Sequence, residues 1–159
     1  MSGMRVVGGP LVVVAAIAAA LALHGAAGAA PAPCRAQVRQ GVLPAWARAG
    51  FSDPRPRMPH VFGRAHEIVA IVFGYPLLAP PAKNRSNKIL WVSRRRVRPL
   101  SDLRISAQRM AGRRAIGRPV ARRVVGGPNP SIIDLPAAGC WRTTLRWSGR
   151  TDHMDLRYR

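Results

Sequence analysis

The chain has 159 residues, with 26 Lys and Arg against 6 Asp and Glu, a formal net charge of +20. A chain of this length holds one domain with a modest core, and a field this one-sided selects anionic partners over cationic ones. Fifteen prolines and fifteen glycines exclude a helix-rich architecture.

The first element is an export signal, expected over residues 1–29 as a helical signal peptide. Arg5 gives the positive end, Leu11 to Leu23 is an unbroken apolar run, and Ala26, Ala27, Gly28, Ala29 and Ala30 form a small-residue boundary. The apolar run has 13 residues, short of the ~20 that cross a bilayer core as a helix. Cleavage after Ala29 leaves 130 residues with a charge of 25 minus 6, or +19; an uncleaved N-terminal anchor is the alternative. Export carries Cys34 and Cys140 into oxidising conditions, and two cysteines allow one intramolecular disulfide.

Residues 30–60 are read as a Pro/Gly/Arg-rich arm packed on the domain. Pro54, Pro56 and Pro59 exclude regular helix there, and Ala45 to Ala49 is compatible with a short helical turn. The domain follows over residues 61–159. Glu67 to Phe73, apolar on both faces, predicts a central strand, and Asn87 to Val92 a second. Leu103 and Ile105 alternate with Arg104 and Ser106 as in a half-buried strand. Ala107 to Ile116 reads as a short helix interrupted by Gly112, or as a turn over residues 112–117. Val120 to Val125 predicts a strand, although Arg122 falls on the face of Val120 and Val124 and breaks the alternation. Ser131 to Leu135, between two prolines, predicts an edge strand. The C-terminus predicts a hairpin: Trp141, Thr143, Leu145 and Trp147 share one face of its first arm, and Met154, Leu156 and Tyr158 one face of its second. Short strands separated by Pro and Gly turns indicate an all-β sandwich.

Several segments carry a resemblance. They are residues 43–51 (LPAWARAGF), 59–61 (PHV), 72–77 (VFGYPL), 87–92 (NKILWV), Gly127-Pro128 with Pro130-Ser131-Ile132, Asp134-Leu135-Pro136, Gly139-Cys140-Trp141 and residues 145–149 (LRWSG). Together they resemble uncharacterised secreted proteins and lipoproteins of high-GC Gram-positive bacteria (actinobacteria). The resemblance implies a small immunoglobulin-like β-sandwich outside the cytoplasm and brings no catalytic residues with it. Many such chains are lipid-anchored through a cysteine after the signal. Here Pro31-Ala32-Pro33 precedes Cys34 and departs from that pattern, so a soluble secreted product is expected over an anchored one.

Residues able to carry chemistry are few. His60, His66 and Glu67 lack the i, i+4 pairing of a helical zinc site. His153 with Asp152 and Asp155 reads as a group of solvated hairpin-loop residues. Ser131, His153 and Asp134 supply a nucleophile, a base and an orienting acid in principle, but Ser131 lies in a breaker cluster without a nucleophile elbow. No catalytic residue, metal or cofactor is therefore expected. Arg94, Arg95, Arg96 and Arg98 form the candidate polyanion site. Trp91 beside them alternates with the core pattern, which speaks against single-stranded nucleic acid. Trp141 and Trp147 share a strand face with Leu145 and read as core rather than as a glycan platform. Two functions result. One is a noncatalytic secreted or envelope protein that meets anionic wall polymer or acidic membrane through arginines. The other is a ligand-binding module for a specific glycan or small molecule, which needs a concave aromatic or carboxylate-lined pocket. The bias toward Arg over Lys also fits a GC-rich genome, in which case the charge serves solubility alone.

Overall fold

Alternating apolar residues make the strands of this protein, and a computed structural model describes Met1, Gly3 and residues 33–159. The expected export signal, apart from Met1 and Gly3, lies outside the described residues. Nine strands follow in order: β1 (Arg39–Val42), β2 (Arg57–Phe62), β3 (Ile68–Val72), β4 (Lys88–Ser93), β5 (Leu103–Ala111), β6 (Arg114–Val124), β7 (Pro130–Ile132), β8 (Gly139–Trp147) and β9 (Arg150–Tyr158). They form two antiparallel sheets, ordered β1-β2-β3-β4-β7 and β6-β5-β8-β9. The sheets pack face to face around one main core that includes Ile68, Trp91, Ile105, Leu145 and Tyr158. Among the described residues, no helix is long and apolar enough to cross a membrane.

All five residues of β3 are buried, as its doubly apolar sequence requires. Ile68, Ala70 and Val72 face the other sheet, whereas Val69 and Ile71 pack beneath Leu43 and Ala47. Ala47 closes a 3-10 turn, Ala45–Ala47, where the sequence allows a short helical turn. The segment read as an arm thus supplies β1, most of β2 and a cover for the outer face of β3. Pro59 is accommodated within β2, opposite Gln40 of β1.

One local expectation is corrected. No helix spans 107–116; β5 runs to Ala111 and returns as β6 from Arg114. The register with β6 shifts between Ala107 and Arg109, whereas β8 pairs with β5 without interruption through Met110. Ala107 faces the core and Met110 the outer face, opposite Cys140 and beside the disulfide. The i, i+3 spacing of the two buried residues therefore resembles a helix in the sequence but arises from burial on both faces of the strand. Gly112, with φ of +59°, turns the hairpin. Arg122 does share the inner face with Val120 and Val124, yet β6 is an edge strand. Its guanidinium reaches past the edge to the carbonyl of Asp134 (Nη2 at 2.7 Å, Nε at 3.1 Å), so the charge is not buried.

The C-terminal hairpin forms with Ser148 and Gly149 at its turn, and Trp141 and Trp147 are core residues, each 2% exposed. Trp91 is 1% exposed. All three indole N–H groups are satisfied inside, by Ser131 Oγ for Trp91, the Ala137 carbonyl for Trp141 and Ser93 Oγ for Trp147. Tyr158 donates its hydroxyl to the Ile133 carbonyl at 2.6 Å. Burial first, and then the nearby Asp134 carboxylate, pushes that phenol well above its ordinary pKa.

Cys34 and Cys140 form the expected disulfide, with Cα atoms 6.1 Å apart. It fixes the N-terminal segment to the start of β8, and the Cys34 amide donates to the carbonyl of Gly112 at 3.0 Å. The chain then crosses from the outer face of the second sheet to β1 in the first.

Candidate anion-binding face

All six carboxylates of this chain have structural partners. Asp53 accepts from the Arg55 amide, Asp134 from Asn87, and Asp102 from Gly126 and Arg123. The Gly126 amide first, then Arg123 and Arg104, hold Asp102 below the usual carboxylate range, against the opposing effect of partial burial. Glu67 lies 3.7 Å from Arg95 Nε and 3.9 Å from Arg150 Nη1. Asp152 and Asp155 are buried and hold loops and arginines. Among the described residues, ion pairs engage Arg64, Arg95, Arg123, Arg142 and Arg150, and the arginines outnumber the carboxylates severalfold.

The excess is organised by strand pairing. On the outer face of the second sheet, Arg123 of β6, Arg104 of β5, Arg146 of β8 and Thr151 of β9 are successive register partners. The neighbouring row is Ala121, Ser106, Thr144 and His153. Period-two alternation dictates this placement, because Ile105, Leu145 and Trp147 take the inner face. Arg123 pairs with Asp102. Arg104 and Arg146, both exposed, form no ion pair or hydrogen bond among the described residues. Like charges directly opposite one another in a sheet cost roughly 0.2–1 kcal/mol, so this row opposes folding until an anion is present.

Two depressions flank the row. One of about 500 Å³ is lined by Arg104, Ser106, Ala121, Arg122, Arg123 and Arg146, with Ile105 beneath. The other, about 430 Å³, lies toward the sandwich end between Arg104, Arg146 and Arg150, with Asp102 and the edge of Trp147 in its lining and Ser101, Ser148 and Thr151 offering hydroxyls. Leu100 borders the second depression, at the end of the loop that carries the arginines expected from sequence. Arg94, Arg95, Arg96 and Arg98 are all exposed in this β4–β5 connection. The Arg94 amide donates to the Glu67 carbonyl at 2.8 Å and the Arg98 amide to Ser148 Oγ at 2.9 Å, which hold the loop against β3 and the C-terminal turn. The loop and the row thus meet at one end of the sandwich. The row itself was missed by reading runs of neighbouring arginines, although Arg104 and Arg146 were both visible as polar residues in alternating strands.

Comparison with protein-family models, curated proteins and solved structures finds no match.

The other candidate residues take separate partners. Ser131 Oγ accepts from the Trp91 indole, Asp134 Oδ1 accepts from Asn87, and His153 Nδ1 lies 3.2 Å from Thr144 Oγ1. His60 Nδ1 lies 2.9 Å from the Met58 carbonyl, and His66 stacks on Phe62 with centroids 5.0 Å apart. Neither set is brought together. Among the described residues, the one group with metal-ligand spacing is Cys34, Cys140 and Asp155, and its sulfurs are bonded to each other. The expectation for Asp152 and Asp155 is corrected: they are 1% and 5% exposed, on β9 rather than in a solvated loop. Asp152 shares the inner face with Met154. It accepts from the amides of Ala65 (2.9 Å), Glu67 (3.1 Å) and His153 (2.7 Å). Asp155 faces outward but lies beneath the N-terminal segment.

Proposed function

We propose that this protein is a noncatalytic extracytoplasmic β-sandwich that associates with anionic polymer, in the cell wall or at an acidic membrane surface, through its arginine face. The observation that carries the reading is the Arg104–Arg146 pair beside Arg123, three guanidiniums in register with a single carboxylate, Asp102, bonded to Arg123. Guanidiniums bind phosphate and carboxylate in forked pairs, and Ser106, Thr144 and Thr151 add neutral hydrogen-bonding groups along the same face. The competing reading, a pocket for a specific glycan, has less support. Trp91, Trp141 and Trp147 are buried, and the depressions are lined mainly by guanidiniums and hydroxyls, with Asp102, already bonded to Arg123, as their one carboxylate. The export signal and the Arg5 to Ala30 boundary favour a secreted product, soluble rather than lipid-anchored because Cys34 is in a disulfide.

The sandwich is immunoglobulin-like on this account. Neighbours β4 and β7 lie in one sheet and neighbours β5 and β8 in the other, and the chain crosses between sheets from β4 to β5 and from β7 to β8. Strands B, E, C and F of immunoglobulin domains have this relation. The β1 and β2 additions and the disulfide to the N-terminal segment are departures.

Replacing Arg104 and Arg146 by Ser is expected to weaken retention on isolated cell walls or acidic vesicles at low salt by about tenfold, as two charge-assisted contacts are lost. Replacing Arg94, Arg95, Arg96 and Arg98 by Ser should weaken it as well. Both variants should melt no lower than the parent, since these guanidiniums hold little of the fold. Unchanged retention in both variants would overturn the proposal.

A further inference from the structure

A second basic site lies where the N-terminal segment crosses the edge between the two sheets, bordered by β2 of one and β9 of the other. An open cleft of about 390 Å³ is bordered by residues 33–39, the end of β2, the loop over 63–66 and β9. Arg35, Arg39, Arg64 and His66 line it, with Phe62 as an apolar wall and Asp155 as its one carboxylate.

That carboxylate is already engaged. It accepts from the Arg35 amide at 2.8 Å and Arg142 Nε at 3.1 Å, with Arg64 Nη2 at 3.4 Å. Arg35 and Arg39 form no ion pair among the described residues, so the cleft holds cationic charge in excess. Its walls are held in place before any ligand arrives. Asp152 pins the 63–66 loop through the Ala65 and Glu67 amides, and the Arg64 amide donates to the His153 carbonyl at 2.7 Å. A Cβ on Gly63 would overlap the Asp152 carboxylate, so glycine is required for this approach. His66 has φ of +56°, a left-handed conformation uncommon outside glycine, and its ring is set parallel to Phe62. The Arg39 guanidinium lies 5.2 Å from the Phe62 centroid. Across the cleft, the disulfide and the bond from the Cys34 amide to Gly112 fix the segment that brings Arg35.

We propose that this cleft binds a phosphate-type dianion: inorganic phosphate or the terminal phosphate of a monoester. Arginines that line the cleft from separate elements, Arg35 in the N-terminal segment, Arg39 in β1 and Arg64 in the β2–β3 loop, suit a tetrahedral oxyanion, whose oxygens accept on several sides. A planar carboxylate satisfies one fork and leaves the others unused. The excess charge of Arg35 and Arg39 matches a dianion. The site is independent of the arginine face, because it shares no residue with it.

The test is titration of the full secreted chain with inorganic phosphate, glycerol 3-phosphate and acetate, followed through the Nε–Hε resonances of its arginines. Saturable shifts of Arg35, Arg39 and Arg64 are expected with phosphate and not with acetate at equal ionic strength. Saturation by glycerol 3-phosphate as well assigns a monoester; saturation by phosphate alone assigns the free ion, and either supports the site. Neither Arg35 nor Arg39 pairs with a carboxylate, so the R35S/R39S variant should fold and lose at least about tenfold in affinity. The R104S/R146S variant should bind phosphate as the parent does, even where it no longer binds polymer. Linear, unsaturated shifts, an equal response to acetate, or unchanged affinity in R35S/R39S would overturn the proposal and leave the arginine face untouched.

Discussion

The variant with Ser at both positions 34 and 140 is expected to lose about 2–4 kcal/mol of unfolding free energy. The disulfide closes a loop between residues 106 positions apart, for which chain entropy alone gives roughly 4.7 kcal/mol before strain. Few other contacts secure the first residues of the segment: the amides of Cys34 and Arg35 each make one bond to the second sheet, at Gly112 and Asp155. Beyond them the chain rejoins the fold as β1. Urea unfolding of the parent and the variant measures the difference directly. A loss below about 1 kcal/mol would mean that β1 and its neighbours hold the segment without the bond. Loss of the bond should also expose Asp155 and widen the cleft above it.

Replacement of Asp152 by Ala is expected to cost about 3 kcal/mol. Its carboxylate accepts from three backbone amides, and hydrogen bonds to a charged group contribute about 1.5–3 kcal/mol each. Part of that total is recovered, because Ala65 and His153 are exposed and water can reach their amides. The remainder falls on a carboxylate that is 1% exposed and joins β9 to the β2–β3 loop across the sandwich edge. Asp152→Asn should be intermediate, since one oxygen remains while the new amide group meets a backbone donor. Equal stability of Asp152→Ala and the parent would show that the loop is held by the Arg64 and Gly63 backbone bonds instead.

Much of the architecture was legible because burial and strand period leave a direct mark on composition. Five apolar residues in a row marked β3, and alternation marked β4, β8 and β9. The disulfide followed from counting cysteines. The helix reading of 107–116 failed because β5 is buried on both faces there, Ala107 inside and Met110 outside beside the disulfide, and one-dimensional periodicity cannot separate that i, i+3 spacing from a helix. Arg122 looked misplaced because an edge strand lets an inner-face side chain escape around the side. The site was only half legible. Adjacent arginines at 94–98 are conspicuous in a sequence, whereas Arg104, Arg123 and Arg146 become neighbours through pairing of β5 with β6 and β8. The roles of Asp152 and Asp155 were hidden for the same reason, since Ala65 and Glu67 lie 87 and 85 positions from Asp152, and Arg35 and Arg64 lie 120 and 91 from Asp155.

The most direct measurement of the central claim is the salt dependence of binding to a soluble polyanion such as long-chain polyphosphate. Exposed charges are screened over ~8 Å at physiological ionic strength, and each phosphate contact releases counterions. Log affinity of the parent should therefore fall linearly with log salt, and R104S/R146S should show a slope shallower by roughly one to two units. A parent whose affinity is flat in salt, or a variant with the parent's slope and affinity, would contradict the assignment of polyanion binding to this face.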